Sequence, residues 1–328
     1  MAMTLHQPSG RWKLGFALSL VAAANWGALP VGAKMVLRSM DGLTMTWYRM
    51  AGAFVILLPI LALRGSLPRL GSLRRGGWAL LLAACAGLAL NYALYALGLE
   101  LTSPSNAQAL IQAAPILLAL GGLVFFRERF SVFQWIGFSI FLLGEGLFFR
   151  DQLRAFFDRR GAYWLGAGVM LISSAGWAAY ALAQKQLLRW MAASEIMLCI
   201  YAFSAVAFLP IVHPGAIMRM SGLEQFLIVL LCANTLVAYG AFSAALAHWD
   251  ASRVSAAIAV APLLTVAIMR FGGALWPGAA PTESISPLGL AGAAILVAGC
   301  MMTALGKRSV SPAEEEEMSA EERKPCAA

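Results

Sequence analysis

The sequence predicts an all-α polytopic membrane protein, with ten transmembrane helices arranged as two inverted five-helix repeats around a central cavity. Three observations predict this fold class: the composition, a series of apolar runs, and an internal duplication. The chain has 328 residues, of which 60% are hydrophobic and only 12% are charged, and its mean hydropathy is +0.75. A soluble domain carries about 25% charged residues. The composition therefore indicates a protein embedded in a bilayer.

Ten apolar runs are long enough to cross a bilayer, which takes about 20 mostly apolar residues. The predicted helices cover residues 14–36, 44–63, 77–99, 105–126, 132–149, 162–183, 194–212, 223–247, 254–276 and 286–305. The resulting domains are a cytoplasmic N-terminal segment 1–13, a first repeat 14–149, a connector 150–161, a second repeat 162–305 and an acidic disordered cytoplasmic tail 306–328. The connectors are too short to hold a soluble domain.

Residues of the first half recur in the second half at nearly constant offsets, which is the signature of a duplicated unit. At an offset of 151, Trp26 matches Trp177 and Lys34 matches Lys185. Further matches are Arg38 with Arg189, Pro59 with Pro210, Tyr92 with Tyr239, Pro115 with Pro262, Glu128 with Glu283, Gly137 with Gly292 and Gly144 with Gly299. Because each half holds five helices, the second copy must enter the membrane upside down. Inverted repeats of this kind are a known plan for secondary transporters.

The Lys and Arg residues of the connectors predict the orientation, since cytoplasmic connectors carry an excess of them. With the N-terminus inside, 13 lie on the cytoplasmic side and seven on the outer side. Both termini are therefore expected in the cytoplasm. The expected location is the plasma (bacterial inner) membrane. The first apolar run also follows Arg11 and Lys13 like a signal peptide, but it continues to about residue 36, which is too long for a signal core.

Several function classes are excluded by what the chain lacks. The net charge of +8 is scattered over short connectors rather than gathered on one face, which argues against nucleic acid as a partner. No phosphate-binding GxxxxGK[ST] loop is present, so we expect no nucleotide hydrolysis. The cysteines show no metal-ligand or disulfide spacing, and the three histidines are scattered. We therefore predict no enzyme, no catalytic residues, no metal and no cofactor.

Aromatic and uncharged polar residues suggest a cavity between the helices. Most tryptophans lie near helix ends, as in an interfacial belt, whereas Trp26 and Trp177 lie near the bilayer midplane. Polar residues on the third, fourth, sixth and eighth helices share helical faces, and such residues serve either as interhelical glue or as a cavity lining. The predicted substrate-binding residues are Trp26, Asn91, Tyr92, Tyr95, Gln108, Gln112, Trp177, Tyr180, Asn234, Tyr239 and Ser243.

The few ionisable residues within or beside the apolar runs are Lys34, Arg49, Glu145, Lys185 and Arg270, and such residues are functional hypotheses by default. Lys34 and Lys185 are matched and lie near helix ends. They are gate candidates, with snorkelling to water as the alternative. The role of Glu145 stays open between proton coupling and a structural contact.

Glycines and prolines suggest packing and movement. Gly137 and Gly144, and likewise Gly292 and Gly299, are seven residues apart and share a helix face, which allows close backbone approach. They predict a packing scaffold between the repeats. Pro115 and Pro262 lie within the fourth and ninth helices and are hinge candidates, because proline removes a backbone hydrogen bond.

The pattern resembles the drug/metabolite transporter superfamily, and specifically its EamA-type ten-helix members. The resemblance covers about residues 12–305. The first copy carries it at Trp26, Gly27 and Lys34, at residues 96–103 and 107–115, and at residues 127–131 with Gln134, Gly137 and Gly144; the second copy carries it at Trp177, Tyr180, Lys185, residues 256–262, Glu283, Gly292 and Gly299. The resemblance implies ten helices around a central cavity, cytoplasmic termini and export of small organic solutes.

Within that superfamily the chain is most similar to YddG-type aromatic amino acid exporters, which implies a cargo of aromatic or other neutral amino acids moved by alternating access. The alternative is a multidrug or general metabolite exporter of the same fold. The absence of Asp and Glu from residues 14–36 argues against cation–proton exchange of the small multidrug type. The expected partners are a small-molecule substrate and the lipid bilayer. A monomer would suffice and an oligomer is compatible, whereas the exact substrate and the coupling ion stay open.

Overall fold

The computed structural model describes residues 5–101, 110–150, 162–265, 267–268 and 286–306, and within these ranges the regular elements are all helical. The α-helices are α1 (Trp12–Val36), α2 (Gly42–Leu63), α3 (Arg75–Leu101), α4 (Ala113–Phe125), α5 (Val132–Phe148), α6 (Ala162–Leu187), α7 (Ala193–Phe208), α8 (Gly222–His248), α9 (Ala251–Ile258) and α10 (Pro287–Leu305). Short 3-10 segments cover Leu70–Ser72, Leu209–Ile211 and Pro214–Arg219.

Six helices of the described chain are long and apolar enough to cross a membrane, and they lie within α2, α3, α6, α7, α8 and α10. Three shorter apolar helical segments cover Ala113–Phe125, Val132–Phe148 and Ala251–Thr265, the last of which contains a turn at residues 259–260. The prediction of an all-α polytopic membrane protein is therefore confirmed. The connector residues 151–161 and the tail residues 307–328 lie outside the described ranges.

Side-chain caps fix where several helices begin, because the first N–H groups of a helix have no partner within it. The Asp41 carboxylate accepts a hydrogen bond from the Thr44 N–H at 2.8 Å. Ser131 and Ser221 open α5 and α8 with capping boxes closed by Gln134 and Glu224. The Gln134 side chain also donates to the Thr303 carbonyl at 3.0 Å, which ties the start of α5 to the end of α10.

The fourth and ninth predicted helices are both interrupted three residues before their prolines. Gln112 lies in a turn ahead of Pro115, and residues 259–260 form a turn ahead of Pro262, after which helix resumes at 261–265. A proline has no N–H to offer the carbonyl four residues earlier, so the helix loses a bond at each place. The uninterrupted ninth helix predicted over 254–276 is thus corrected to two helical pieces within the described residues.

The two halves of the chain are packed into each other. The most extensive contacts pair α3 with α6, α5 with α10 and α1 with α8, and further contacts pair α2 with α7 and α4 with α9. The largest group of buried apolar side chains draws residues from both halves, including Met50, Leu88, Leu118, Ile196 and Phe242.

Glycines allow the closest of these crossings. A Cβ atom added to Gly299 would lie 2.7 Å from the Gly137 carbonyl oxygen, and one added to Gly144 would lie 2.9 Å from the Gly292 carbonyl oxygen. The pair α3 and α6 crosses in the same way, because a Cβ on Gly87 would lie 2.7 Å from the Gly176 carbonyl oxygen. Backbone atoms occupy the space that a side chain would need.

We expect Gly144→Ala to destabilise the protein, because its methyl group would meet the α10 backbone. Overpacking of this kind costs about 1–3 kcal/mol, and the thermal unfolding of purified protein measures it. The matched control is Gly146→Ala on the same helix, where a Cβ would have no neighbour within 4 Å. Equal melting temperatures for the two variants would contradict close backbone packing of α5 against α10.

Candidate functional site

Six aromatic side chains from α1, α3, α6 and α8 form one contact group, which we call the aromatic cluster: Trp26, Tyr92, Trp177, Tyr180, Tyr239 and Phe242. Trp26 of the first half contacts three rings of the second half, with ring centroids 5.8 Å from Trp177, 5.5 Å from Tyr239 and 5.4 Å from Phe242. Edge-to-face contacts at these separations are favourable beyond simple burial. The cluster therefore joins the two halves of the chain through aromatic faces.

Helical spacing explains why these side chains meet. Trp177, Tyr180 and Gln184 share one face of α6, and Thr235, Tyr239 and Ser243 share one face of α8. The two faces touch, since the Gln184 amide donates to the Ser243 hydroxyl. Trp26 lies 14 residues into α1, about 21 Å along the helix at about 1.5 Å per residue. The aromatic cluster is thus deep within long apolar helices.

Arg49 borders the aromatic cluster from α2, and its side chain is 3% exposed. Its Nε donates to the Thr235 hydroxyl at 2.9 Å, and its Cζ lies 5.7 Å from the centroid of the Tyr92 ring. The Tyr92 hydroxyl is hydrogen-bonded to the Tyr239 hydroxyl. The predicted site omitted Arg49, although an arginine five residues after the start of the predicted run 44–63 was the available signal.

Two predicted asparagines are held in interhelical hydrogen bonds. The Asn91 amide donates to the Ser173 carbonyl and hydroxyl, both at 3.0 Å, and the Ser173 hydroxyl donates to the Asn91 carbonyl at 2.8 Å. The Asn234 amide donates to the Asn25 carbonyl at 2.9 Å and to its side-chain oxygen at 3.1 Å. These contacts join α3 to α6 and α1 to α8, as polar residues in membranes often do.

The two broken helices contact each other at their turns. The Gln112 amide donates to the Ala259 carbonyl at 3.2 Å, and the Ser255 hydroxyl donates to the Pro115 carbonyl. Gln112 is also within hydrogen-bonding reach of Glu145, and the second carboxylate oxygen of Glu145 has no protein partner among the described residues. Side chains thus bond to backbone carbonyls beside both interruptions and join the two helices there.

A buried ion pair, which we call the latch, joins three elements beside the end of α6. Lys185 donates to the Glu128 carboxylate, which also accepts from the Ala251 N–H at 2.8 Å, from the Ser252 N–H at 2.9 Å and from the Ser252 hydroxyl at 2.5 Å. Glu128 thereby binds the N-terminus of α9. Burial opposes ionisation of Glu128, but Lys185 and Ser252 hold the pKa of its carboxyl below the ordinary value. The predicted site included Lys185 and omitted Glu128.

The N-terminal segment lies against the same end of the helices. The His6 N–H donates to the Gln186 side chain at 3.0 Å, and the Ser9 N–H donates to the Ala247 carbonyl at 3.1 Å. Burial, with Lys185 and Arg189 nearby, lowers the pKa of His6 to about 4. His6 is therefore neutral beside Lys185 at neutral pH.

The remaining predicted residues are placed as follows. Tyr95 is half-buried on α3, within electrostatic range of Arg49. Gln108, Arg270, Glu283 and the side chain of Lys34 lie outside the described part of the chain. The structure therefore brings Trp26, Tyr92, Trp177, Tyr180 and Tyr239 together, attaches Ser243 to them through Gln184, and places Gln112 at the contact between the broken helices.

One cavity of about 380 Å³ lies beside this site, between α2, α7 and α8. Its walls include Leu57, Met197, Tyr201 and Leu236, and its volume is within the range of small-molecule pockets. The Tyr201 hydroxyl donates to the Thr235 carbonyl at 3.4 Å. Tyr201 therefore connects the cavity wall to Thr235, the hydrogen-bond partner of Arg49.

Comparisons with known proteins decide the family. Residues 13–150 match the model of the EamA-like transporter family. An uncharacterized transporter of Haemophilus influenzae is 33% identical over 90% of this chain and 96% of its own length. The uncharacterized inner membrane transporter YhbE of Escherichia coli K12 is 34% identical over 90% of this chain and 92% of its own.

The chain belongs to the EamA-like transporter family. The predicted family is thereby confirmed, and with it a multi-pass membrane transporter rather than an enzyme. One solved crystal structure matches with a TM-score of 0.71 and 17% sequence identity, over 93% of this chain and all of that chain. That likeness concerns the fold alone. Within the described residues, no group of three His, Cys, Asp or Glu side chains is arranged to hold a metal ion.

Proposed function

We propose that this transporter exports small hydrophobic metabolites, best described as aromatic or other neutral amino acids, by alternating access. The observation that carries the proposal is the aromatic cluster, in which α1 and α3 of the first half meet α6 and α8 of the second half deep within the membrane-spanning region. Transporter substrates are bound near the bilayer midplane at the interface of two repeats. Aromatic faces suit an aromatic or apolar side chain. The resemblance to YddG-type exporters supports the same cargo.

We also propose that the chain consists of two inverted five-helix repeats of ten transmembrane helices. The helix contacts support this arrangement. When each helix is replaced by its counterpart five helices away, the contact of α1 with α8 becomes that of α6 with α3. The contacts α2–α7, α4–α9 and α5–α10 are converted into themselves. The exchange also holds for single residues. The sequence offsets convert the contact of Asn25 with Asn234 into that of Gly176 with Gly87.

In this proposal both termini lie in the cytoplasm, and the latch closes the cytoplasmic side. The ion pair holds α9, the end of α6 and the α4–α5 connector together. The turns before Pro115 and Pro262 would then be the points at which α4 and the α9 segment bend as the site changes sides. The glycines Gly137, Gly144, Gly292 and Gly299 would hold α5 and α10 as the scaffold against which the other helices move.

Counterflow into proteoliposomes tests the proposed cargo. Purified protein is reconstituted with labelled Phe, Trp, Thr or a non-metabolised organic cation, with and without a pH gradient, and liposomes without protein give the background. We expect saturable counterflow of Phe and Trp. Cation flux driven by the proton gradient would instead favour the multidrug exporter and make Glu145 the leading coupling residue.

A further inference from the structure

The aromatic cluster borders on a buried positive charge, Arg49, that has no carboxylate partner in the part of the chain that the structure describes. Among the described residues the ion pairs are Lys185 with Glu128 and Arg253 with Asp250, and no carboxylate lies within 4 Å of Arg49. The Arg49 guanidinium instead contacts the Thr235 hydroxyl and Tyr92. Arginine carries five N–H donors arranged to match a carboxylate. Thr235 and Tyr92 are both uncharged, so neither neutralises the guanidinium.

A buried charge of this kind requires a reason, because ionisable residues in membrane segments are costly and usually mark a substrate or ion pathway. To join α2 to α8, a hydrogen bond to Thr235 would suffice, and a neutral amide in place of Arg49 could make it. The position of α7 that matches Arg49 at the repeat offset of 151 is Ile200. The charge is therefore not a requirement of the repeated helix contacts, because the matched position of α7 carries an uncharged side chain.

We propose that Arg49 binds the carboxylate of the transported molecule, so that the substrate class is an aromatic carboxylate, with or without an amino group. This inference rests on the proposed function, since it assigns the cargo of the same site. The guanidinium adjoins the Tyr92 ring at 5.7 Å, and that ring lies 6.4 Å from the Tyr239 ring. A ligand whose ring lies beside Tyr92 and Tyr239 can therefore place its acid group beside Arg49.

The tyrosine hydroxyls complete the site. In the structure they bond to each other, Tyr92 to Tyr239, and both can donate to an incoming carboxylate once that bond opens. Uncharged donors and one arginine together favour an anion over a cation, and no described acidic side chain lies beside Arg49 to attract an ammonium group. The site should therefore discriminate by charge among ligands that share one ring.

Three ligands with the same phenyl group separate the contributions: 3-phenylpropionate has only the acid, phenethylamine has only the ammonium, and L-phenylalanine has both. Binding to the purified full-length protein in detergent is measured by isothermal titration calorimetry. We expect wild-type protein to bind the two carboxylates and to bind phenethylamine at least tenfold more weakly. Arg49→Gln should weaken carboxylate binding by about 10- to 100-fold, as expected for a charge-assisted hydrogen-bonded contact.

Controls distinguish ligand binding from a structural tie. Thr235→Val removes the hydrogen bond to Arg49 and keeps the cation, so the preference for carboxylates should persist. Arg49→Lys also keeps the cation, and Arg64→Gln makes the same substitution at the exposed end of α2. If Arg49→Gln fails to fold, the preference of wild type and of Arg49→Lys for carboxylates over phenethylamine still tests the proposal. Preferred binding of phenethylamine, no binding of either carboxylate, or an unchanged affinity in Arg49→Gln would overturn the proposal.

The two proposals fail differently. Carboxylate-selective binding in detergent without flux in proteoliposomes would reject the transport of these compounds and leave the Arg49 site standing. Flux of aromatic compounds without any dependence on their acid group, or on Arg49, would reject the Arg49 site and leave the exporter standing.

Discussion

Lys185→Met is expected to reduce counterflow of the preferred substrate about 100-fold and to lower the melting temperature. The substitution leaves the Glu128 carboxylate buried without its cation, and removing one partner of a buried ion pair costs about 3–5 kcal/mol. A loss of about 3 kcal/mol corresponds to roughly two orders of magnitude in an equilibrium constant. In the proposed cycle the latch must reform whenever the cytoplasmic side closes, so the cost falls on transport. Lys13→Met makes the same change at an exposed position and serves as the control.

A double variant tests whether the uncompensated charge causes the loss. Glu128→Gln combined with Lys185→Met removes both charges, so its melting temperature should exceed that of Lys185→Met alone. Exchanging the two residues should not restore function, because Glu128 also accepts from the Ala251 and Ser252 N–H groups. A lysine at position 128 would face the positive N-terminus of α9. Full recovery on exchange would show that the pair acts by charge attraction alone.

The pH dependence of the latch follows from the direction of the pKa shift. The folded protein holds the pKa of Glu128 below its ordinary value, so the stabilisation is complete above the unfolded pKa of about 4.3. It is lost as the pH falls through the lowered folded value. The latch should therefore contribute the same stability from about pH 5 to neutral pH, and a transport optimum within that range must come from other groups.

Composition and periodicity were sufficient to predict the helical membrane class and most helix bounds. The predicted spans 132–149 and 286–305 agree with α5 and α10 to within a residue or so. The interruptions before Pro115 and Pro262 were less accessible, because membrane helices often tolerate proline and the sequence alone does not show which do. Their matched positions in the two halves were the available signal.

The sequence could not show which side chains of different helices contact each other. Periodicity shows which face of a helix a side chain occupies, but not which helix covers that face. Arg49 meets Thr235 across 186 residues, and Glu128 meets Lys185 across 57. Glu128 was nevertheless noted as a match for Glu283, just as Lys185 matches Lys34. Paired recurrence of an acid and a base was therefore a signal for the latch that the candidate list did not use.

Trp177→Ala is expected to lower counterflow of aromatic substrates at least tenfold. Trp177 is 8% exposed and contacts Trp26, Tyr180 and Phe242, with ring centroids 5.1–6.1 Å away. Each aromatic pair contributes about 0.5–1.5 kcal/mol beyond burial, so losing contact with a ring of the substrate and with these neighbours weakens the site. Trp78→Ala makes the same substitution at a position that is 40% exposed on α3, and it should transport normally.

Stability must be separated from transport in this case, since truncating a buried tryptophan costs about 3–5 kcal/mol on its own. Trp177→Phe keeps an aromatic face and loses less volume, so its melting temperature should lie close to that of wild type. If the aromatic cluster binds substrate, Trp177→Phe should raise the half-saturation concentration for tryptophan more than for threonine, because only the aromatic side chain uses the ring contact. Equal changes for both amino acids, at an unchanged melting temperature, would assign Trp177 to packing between the two halves and move the binding site elsewhere.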